Sequence, residues 1–318
     1  MQPIELSIVI VNWKSKEFVE QCLKSIYTHS KSINSEIIVI DNASYDGCRE
    51  MLQRGFPRVI FIQSDENLGF ARANNLAYSK SRGQNILFLN PDTEIRVDAL
   101  QSLLNALKMI PNAGMVGAKL LNSDNTLQTT CITALPSILN QALASNYLRK
   151  HFPNWSIWGM RSLYSTRQDA FPVEAISGAC MLAKREILDR IGCFTTDYFM
   201  YAEDMDLCSK VNKTGMKIYY VPRAVVVHHG GGSSSSHSES NFSSVMQRES
   251  LAKFFELHHG RGYALMYRTS TAVVSILRMA AIVVSCPITI CRSGYQSFFR
   301  MSSKWSSILC WAIDVSRW

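Results

Sequence analysis

The chain has 318 residues, 47% of them apolar. That excludes a disordered polymer and allows one large α/β domain with an appendage, or two modest domains. Lysine and arginine total 33 against 25 aspartates and glutamates, for a net charge of +8; the stretch beyond Gly230 holds nine of the bases and four of the acids, so +5 of the excess belongs to that tail. Its bases are interleaved with apolar residues, which favours a membrane surface over nucleic acid as the partner.

Nine cysteines are scattered singly, Cys22, Cys180 and Cys208 among them, with no CxxC pair. They read as reduced core residues of a cytosolic protein. Met1 leads directly into Glu5–Ile10 without the basic start, apolar stretch and small-residue cleavage site of a signal peptide, so the expectation is a cytoplasmic catalytic part attached peripherally to the inner face of the plasma membrane.

Leu6–Val11, Glu36–Ile40 and Val59–Ile62 are short apolar runs rich in β-branched residues, as expected of strands buried on both faces of a parallel sheet. Between the first two, Glu17–Tyr27 places Phe18, Cys22, Leu23 and Ile26 on one helical face, completing a βαβ unit. Asn67–Lys80 predicts a helix, Asn85–Leu89 a strand, and Val97–Met109 an amphipathic helix stopped by Pro111. The first 120 residues therefore predict the nucleotide-binding half of a doubly wound α/β fold.

Asn122–Pro172 is polar and aromatic, with Trp155, Trp158 and Tyr164, and carries no clear periodicity; it reads as the part that meets an acceptor. Order returns at Ala175–Ala183, with helices at Arg185–Ile191 and Met205–Asn212, a strand at Lys217–Val221, and Val225–Val227 beyond it. A Gly/Ser run after His229 reads as a loop or linker. Asn241–His259 reads as a helix, and Tyr263–Ile290 is apolar but interrupted by Arg268, Arg278 and Pro287. The domain expectation is 1–235 for catalysis, split into 1–120 and 121–235, and 236–318 for a helical tail.

Polar motifs recur where strands end. Asn12 closes the first strand, and Asp41-Asn42-Ala43-Ser44 follows the second, at the carboxyl edge where open α/β sheets bind ligands; alone, the latter is also good turn chemistry. Asn67-Leu68-Gly69 opens a helix with a capping Asn and a glycine that permits close approach, and Arg72 in its first turn suits an anion. Leu89-Asn90-Pro91-Asp92-Thr93 ends the fourth strand and presents Asp92 to a divalent metal and a diphosphate, although an ordinary strand exit would use the same residues. Glu203 and Asp204, adjacent at a helix start, point in different directions, so one can act as general base while the other holds an acceptor hydroxyl. His228, at a strand end beside glycines, can complete an Asp/His metal site.

In this order the motifs Asn67-Leu68-Gly69-Phe70, Asn90-Pro91-Asp92-Thr93, Glu203-Asp204-Met205-Asp206-Leu207-Cys208 and Val227-His228-His229-Gly230-Gly231 resemble glycosyltransferase family 2, most closely its rhamnosyltransferase-like members, over residues 6 to 235. The resemblance implies a GT-A fold, a nucleoside-diphosphate sugar donor with dTDP-rhamnose favoured, Mg²⁺ or Mn²⁺ as cofactor, and inversion at the anomeric carbon. By it Asp41 would contact the base, and Asn67 and Gly69 would border the nucleoside pocket. Asp92 would be the metal-binding acid, Asp204 the catalytic base and His228 a further metal or phosphate contact. Asn90 stands where many members have the first Asp of DxD, and Asn42 where many have a second acid after Asp41. Ser177-Gly178-Ala179-Cys180 resembles the small-residue segment that lies under the acceptor.

Met279–Cys291, thirteen residues between Arg278 and Arg292, is shorter than the roughly 20 apolar residues a membrane span needs. The tail is thus expected to lie in the headgroup region with Tyr263, Tyr267, Trp305, Trp311 and Trp318 as interfacial anchors, and to face a glycan or lipid-linked acceptor. Packing on the catalytic part, or a homo-oligomer interface, is the alternative use of these helices. Two other functions fit the nucleotide-binding half: a nucleotidyltransferase, for which Val11-Asn12-Trp13-Lys14 lacks the glycine-rich basic phosphate loop, and a non-catalytic nucleotide-sugar-binding assembly protein.

Overall fold

The computed structural model describes residues 3–30, 32–230, 241–284 and 286–314. The Gly/Ser linker and Trp318 of the sequence reading lie outside them.

The first half alternates β1 (Leu6–Asn12), α1 (Lys16–His29), β2 (Ser35–Asn42), α2 (Cys48–Gly55), β3 (Ile60–Ser64), α3 (Gly69–Lys80) and β4 (Asn85–Leu89). Strands β3, β2, β1 and β4 run parallel in that order. β1 is buried along its whole length, because both faces of this central strand are covered. β3 is the edge strand and only half-buried, not the doubly covered strand that Val59–Ile62 suggests. The inward stripe of α1 is Val19, Cys22, Leu23 and Ile26; Phe18 instead sits 5.8 Å from the His229 ring. Helix α2 escapes the sequence reading because it buries only Cys48 and Leu52, one turn apart, too little to register as a period.

Next come β5 (Thr93–Ile95), α4 (Ala99–Met109), β6 (Ala113–Leu121), β7 (Ile132–Thr133), α5 (Ile138–Ala142), α6 (Asn146–His151), β8 (Phe171–Val173), β9 (Ala175–Ile176), β10 (Cys180–Lys184), α7 (Arg185–Ile191), α8 (Glu203–Lys213) and β11 (Lys217–His228). The main sheet continues β4-β10-β6-β11-β5, with β8 also on β11. β10 is antiparallel to both neighbours, while β6 and β11 are parallel, which makes the whole a mixed, mostly parallel α/β sheet. β11 is continuous through Pro222: a register shift between Val221 and Val225 absorbs the residue that cannot donate to the ladder.

The chain divides into two compact units, one of residues 1–135, 149–199 and 203–236, the other of 136–148, 200–202 and 237–318. The second unit therefore takes in two short segments that the sequence reading assigns to the acceptor half. It is built on α9 (Asn241–His259), α10 (Arg261–Val284) and α11 (Cys286–Ile313), and α5 packs on α10. Phe254, Phe255, Tyr267, Ile308 and Trp311 form its core. Tyr267 and Trp311 are thus core residues and not interfacial anchors, and the Tyr263 ring lies 4.7 Å from that of His259, tilted by 32°, within the unit. Two of the three arginines of α10, Arg268 and Arg278, turn inward as well. Arg268 donates to the Trp311 and Asp314 carbonyls at 2.6 and 2.8 Å, neutralising the C-terminal end of α11, and Arg278 donates to the Ala144 carbonyl at 2.7 Å. With both charges directed into the bundle, the outer side of α10 carries Leu265, Met266, Val273, Ile276, Leu277, Val283 and Val284 exposed. Among the described residues α10 is the helix long and apolar enough to cross a membrane by length and composition, a stretch that begins well before Met279.

Candidate active site

The carboxyl ends of β1, β2 and β3 form one polar cluster. The Asn12 amide donates to Asp41 at 2.8 Å and lies 2.9 Å from Ser44 Oγ, while its carbonyl accepts from Ser15. Asp41 also accepts from the Ser44 hydroxyl, from Gln63 at 2.9 Å and from the Tyr45 N–H at 3.1 Å. Burial alone would push the Asp41 pKa up, but the donors Ser44, Gln63, the Tyr45 N–H and Asn12 outweigh it and hold the carboxyl below its usual range. Asp41 is buried as an anion that shapes the loop after β2. Asp46, which accepts from the Lys16 and Cys48 N–H groups, and Gln63 belong to the same cluster; the sequence reading missed both, because only the parallel pairing of β2 with β3 puts Gln63 beside Asp41.

Asn42 links this cluster to α3. Its amide donates to Asn67 Oδ1 at 2.9 Å and its carbonyl accepts from the Leu68 N–H at 2.8 Å. An amide is needed at 42 because it must donate and accept at once, which accounts for the absence of an acid there. Asn67 accepts from the Gly69 N–H at 2.9 Å but lies outside the helix, one residue before Leu68 at the N-cap position. Gly69 has φ +74°, and a Cβ on it would fall 2.6 Å from the Phe199 carbonyl, so both conformation and space require glycine. Arg72, in the first turn of α3, is exposed.

The second cluster forms where β5 pairs with the end of β11, His228 opposite Thr93. His228 Nε2 lies 3.3 Å from Asp92 Oδ1 and 3.3 Å from the Asn90 amide, and His228 Nδ1 is 2.8 Å from Gln128 Oε1. An octahedral or tetrahedral ion holding an oxygen and an imidazole nitrogen at about 2.0–2.2 Å places adjacent donors about 3 Å apart, so Asp92 and His228 fit one divalent cation. Among the described residues no group of three or more His, Cys, Asp or Glu side chains gathers around a common point. The protein would thus supply two ligands and leave the others to diphosphate and water, the usual arrangement for Mg²⁺. Gln128 has no motif of its own, and no pattern in the sequence singles it out.

The third element is Glu203-Asp204 at the start of α8. Glu203 is buried, and its Oε2 has no hydrogen-bond partner. Asp204 is half-buried and accepts from the Gly178 N–H at 3.0 Å and the Met205 N–H at 2.8 Å. Burial and the neighbouring Asp204 charge raise the Glu203 pKa; burial raises that of Asp204 too, against the two backbone donors. The two adjacent carboxyls therefore titrate as an interacting pair, Glu203 pushed up to about 8 and Asp204 raised against the Gly178 and Met205 N–H groups that favour its charged form. Asp206, third acid of the motif, is structural: it accepts from Thr195 at 2.6 Å and from Tyr198 at 3.4 Å.

The segment Ser177-Gly178-Ala179 ties the last two elements together, since the Asn90 N–H donates to the Ala179 carbonyl at 3.0 Å while Gly178 donates to Asp204. All three clusters belong to the first unit.

The profile of the family described as glycosyl transferase family 2 matches residues 7–192, more than half of the chain, from β1 through α7. The chain belongs to glycosyltransferase family 2. Among family relatives, the N-acetylglucosaminyl-diphospho-decaprenol L-rhamnosyltransferase of Mycobacterium tuberculosis is 26% identical over 239 residues, 70% of this chain and 75% of that one. The rhamnosyltransferase WbbL of Escherichia coli is 25% identical over 225 residues, 68% and 80% of the two chains. In structure, the mannosyltransferase PcManGT of Pyrobaculum calidifontis, solved with GDP-Man and Mn²⁺, superposes with a TM-score of 0.57 at 18% identity, covering 99% of this chain and 88% of that one. GalNAc-T7 with UDP, GalNAc and Mn²⁺ gives a TM-score of 0.55 at 15% identity over 71% of this chain and 44% of that one. These likenesses establish the GT-A fold. The family 2 glycosyltransferase reading thus accounts for both the sheet and the polar edge it carries.

Proposed function

We propose that this family 2 glycosyltransferase moves a sugar, with rhamnose from dTDP-rhamnose favoured, from a nucleoside diphosphate to a glycan or lipid-linked acceptor in the synthesis of a cell-surface polysaccharide, with inversion and with Mg²⁺ or Mn²⁺. The single observation that carries the reading is the half-buried Asp204, held by two backbone N–H groups in the same unit as the facing Asp92 and His228 donors. The rhamnosyltransferase names of the relatives support the sugar, and the nucleotide and Mn²⁺ of the structural neighbours support donor and cofactor.

In this reading the Asn12, Asp41 and Gln63 cluster shapes the end of the pocket that takes the base, and exposed Arg72 beside the start of α3 meets diphosphate charge. Asp204 accepts the proton of the acceptor hydroxyl as that oxygen bonds to the anomeric carbon; the bond to the diphosphate breaks on the opposite face, and its electron pair leaves with the diphosphate. One displacement inverts the centre. When bound, a divalent ion held by Asp92 and His228 offsets the charge that develops on the leaving group. Glu203, neutral and enclosed, keeps a second negative charge away from Asp204.

The exposed aliphatic side of α10 supports peripheral attachment to the cytoplasmic leaflet of the plasma membrane, with the basic excess of the tail drawing it to anionic lipid.

The test is release of nucleoside diphosphate and sugar transfer across a panel of UDP-, GDP- and dTDP-sugars, with and without Mg²⁺ or Mn²⁺. Metal-dependent turnover of one donor is expected. Donor binding without turnover, in folded protein supplied with membrane acceptors, would instead favour the non-catalytic nucleotide-sugar-binding alternative.

A further inference from the structure

We infer that the surface turn Asn122–Gln128 decides which ring nitrogen of His228 carries the proton, so that the Nε2 lone pair is presented to the space beside Asp92. Gln128 is then a positioning residue, acting through His228.

The argument starts from a group whose polarity is fixed. An ionised carboxylate can only accept, and Asp124 Oδ1 lies 2.6 Å from Thr126 Oγ1. The Thr126 hydroxyl must therefore donate to Asp124, which leaves its oxygen to accept. That acceptor faces the Asn122 side chain at 2.9 Å, so the Asn122 NH₂ points to Thr126 and its carbonyl points away. The Asn122 carbonyl lies 3.1 Å from the Gln128 side chain, which must offer its own NH₂ there. Gln128 Oε1 is thereby turned to His228 Nδ1, 2.8 Å distant, and accepts from it. Each amide orientation and the imidazole tautomer follow from the one before, and all trace back to Asp124.

Reversing the chain has a definite cost. If His228 carried its proton on Nε2, Nδ1 would need a donor, both amides would have to flip, and the Thr126 hydroxyl would be drawn to Asn122. Asp124 and Thr126 would then oppose two acceptors at 2.6 Å. The backbone holds the turn in place independently: Asn122 N donates to the Thr126 carbonyl at 2.8 Å, Gln128 N to the Leu120 carbonyl at 2.9 Å, and Thr126 N to Asp124 at 2.9 Å.

The consequence lies on the far side of the ring. With the proton on Nδ1, Nε2 and Asp92 Oδ1 are two acceptors 3.3 Å apart, which repel each other when nothing lies between them and attract a shared cation. Asn90, standing where an acid is common, offers an amide within 3.3 Å of Nε2 in place of a further negative charge. The tautomer rests on the hydrogen bonds alone; its use in holding an ion rests on the proposed function.

The experiment follows the ring nitrogens of His228 by ¹⁵N NMR in the full chain at mildly alkaline pH, and titrates the same samples with Mn²⁺ alone. Wild type should show protonated Nδ1 and unprotonated Nε2. Gln128→Met, which keeps length but removes the acceptor, should shift the proton toward Nε2 and weaken Mn²⁺ binding by about 10–100-fold. Gln128→Glu, which restores an acceptor, should recover protonated Nδ1 and most of the affinity, an outcome that mere filling of space would not produce. A wild-type proton on Nε2, or an unchanged tautomer in a folded Gln128→Met protein, overturns the inference. A wild type that has the Nδ1 proton but takes up no Mn²⁺ at His228 upholds the tautomer and counts against the metal reading instead.

Discussion

Gly178 holds Asp204 from beneath: its N–H donates to Asp204 Oδ2 at 3.0 Å, and a Cβ at 178 would lie 3.3 Å from the Asp204 Cβ. Glycine at 178 thus sets how closely Asp204 can rest on the turn between β9 and β10, which also anchors Asn90. The adjacent Ala179 carbonyl receives the Asn90 N–H, so consecutive residues position Asp204 and the turn that carries Asp92.

Gly178→Ala should displace Asp204 by a few tenths of an ångström. Because small misplacement of a reacting group is costly, kcat should fall about 10–100-fold with little change in melting temperature. Steady-state kinetics beside a thermal melt checks this, and unchanged kcat would dissociate the Gly178 contact from catalysis.

Glu203 and Asp204 both have folded-state pKa values above the ordinary carboxylate range, for reasons of burial and, at Glu203, the Asp204 charge. The folded state therefore binds more protons than the unfolded one above about pH 4.3, and stability must decline as pH rises from there through the folded pKa values. Glu203→Gln removes the Glu203 part of that decline and should leave the protein more stable at alkaline pH than wild type. Urea unfolding midpoints across the range provide the comparison; parallel pH profiles would show that Glu203 is not the buried proton carrier.

Asn42→Asp places an acceptor against Asn67 Oδ1, where the amide now donates. Asn42 is buried, so the loss should cost about 1–3 kcal/mol in unfolding free energy and raise the KM for the donor by loosening the entry to α3. Denaturant titration and donor saturation curves read the two effects separately.

The outer side of α10 should carry the membrane contact. Replacing Ile276 and Leu277 together by Asp should abolish flotation with anionic liposomes while leaving donor hydrolysis intact; flotation equal to wild type would assign the attachment elsewhere.

The relation between sequence and structure is uneven, for identifiable reasons. β1, β2 and β4 are legible because strands covered on both faces are apolar without interruption, and Asp41 and Asp92 follow directly from where β2 and β4 stop. β5 has three residues and β6 reads Ala-Gly-Met-Val-Gly-Ala, too short or too small in side chain to stand out, yet the pairing of β5 with β11 is what brings His228 to Asp92. Gln63 meets Asp41, 22 residues away, through the register of β2 and β3, and Gln128 meets His228 from 100 residues away, so neither contact shows in a local pattern. In the tail, Tyr267 and Trp311 and the arginines Arg268 and Arg278 are used inside the bundle, because both arginines find carbonyl partners there and leave the aliphatic residues outside.

The measurement that bears most directly on the central claim is turnover of the identified donor by Asp204→Asn, set beside Glu203→Gln, with folding checked for both. If Asp204 is the base, its variant should lose about 10²–10⁴-fold in kcat while Glu203→Gln stays within about tenfold of wild type. Near-normal turnover by a folded Asp204→Asn protein would contradict the assignment of Asp204 and the single displacement built on it.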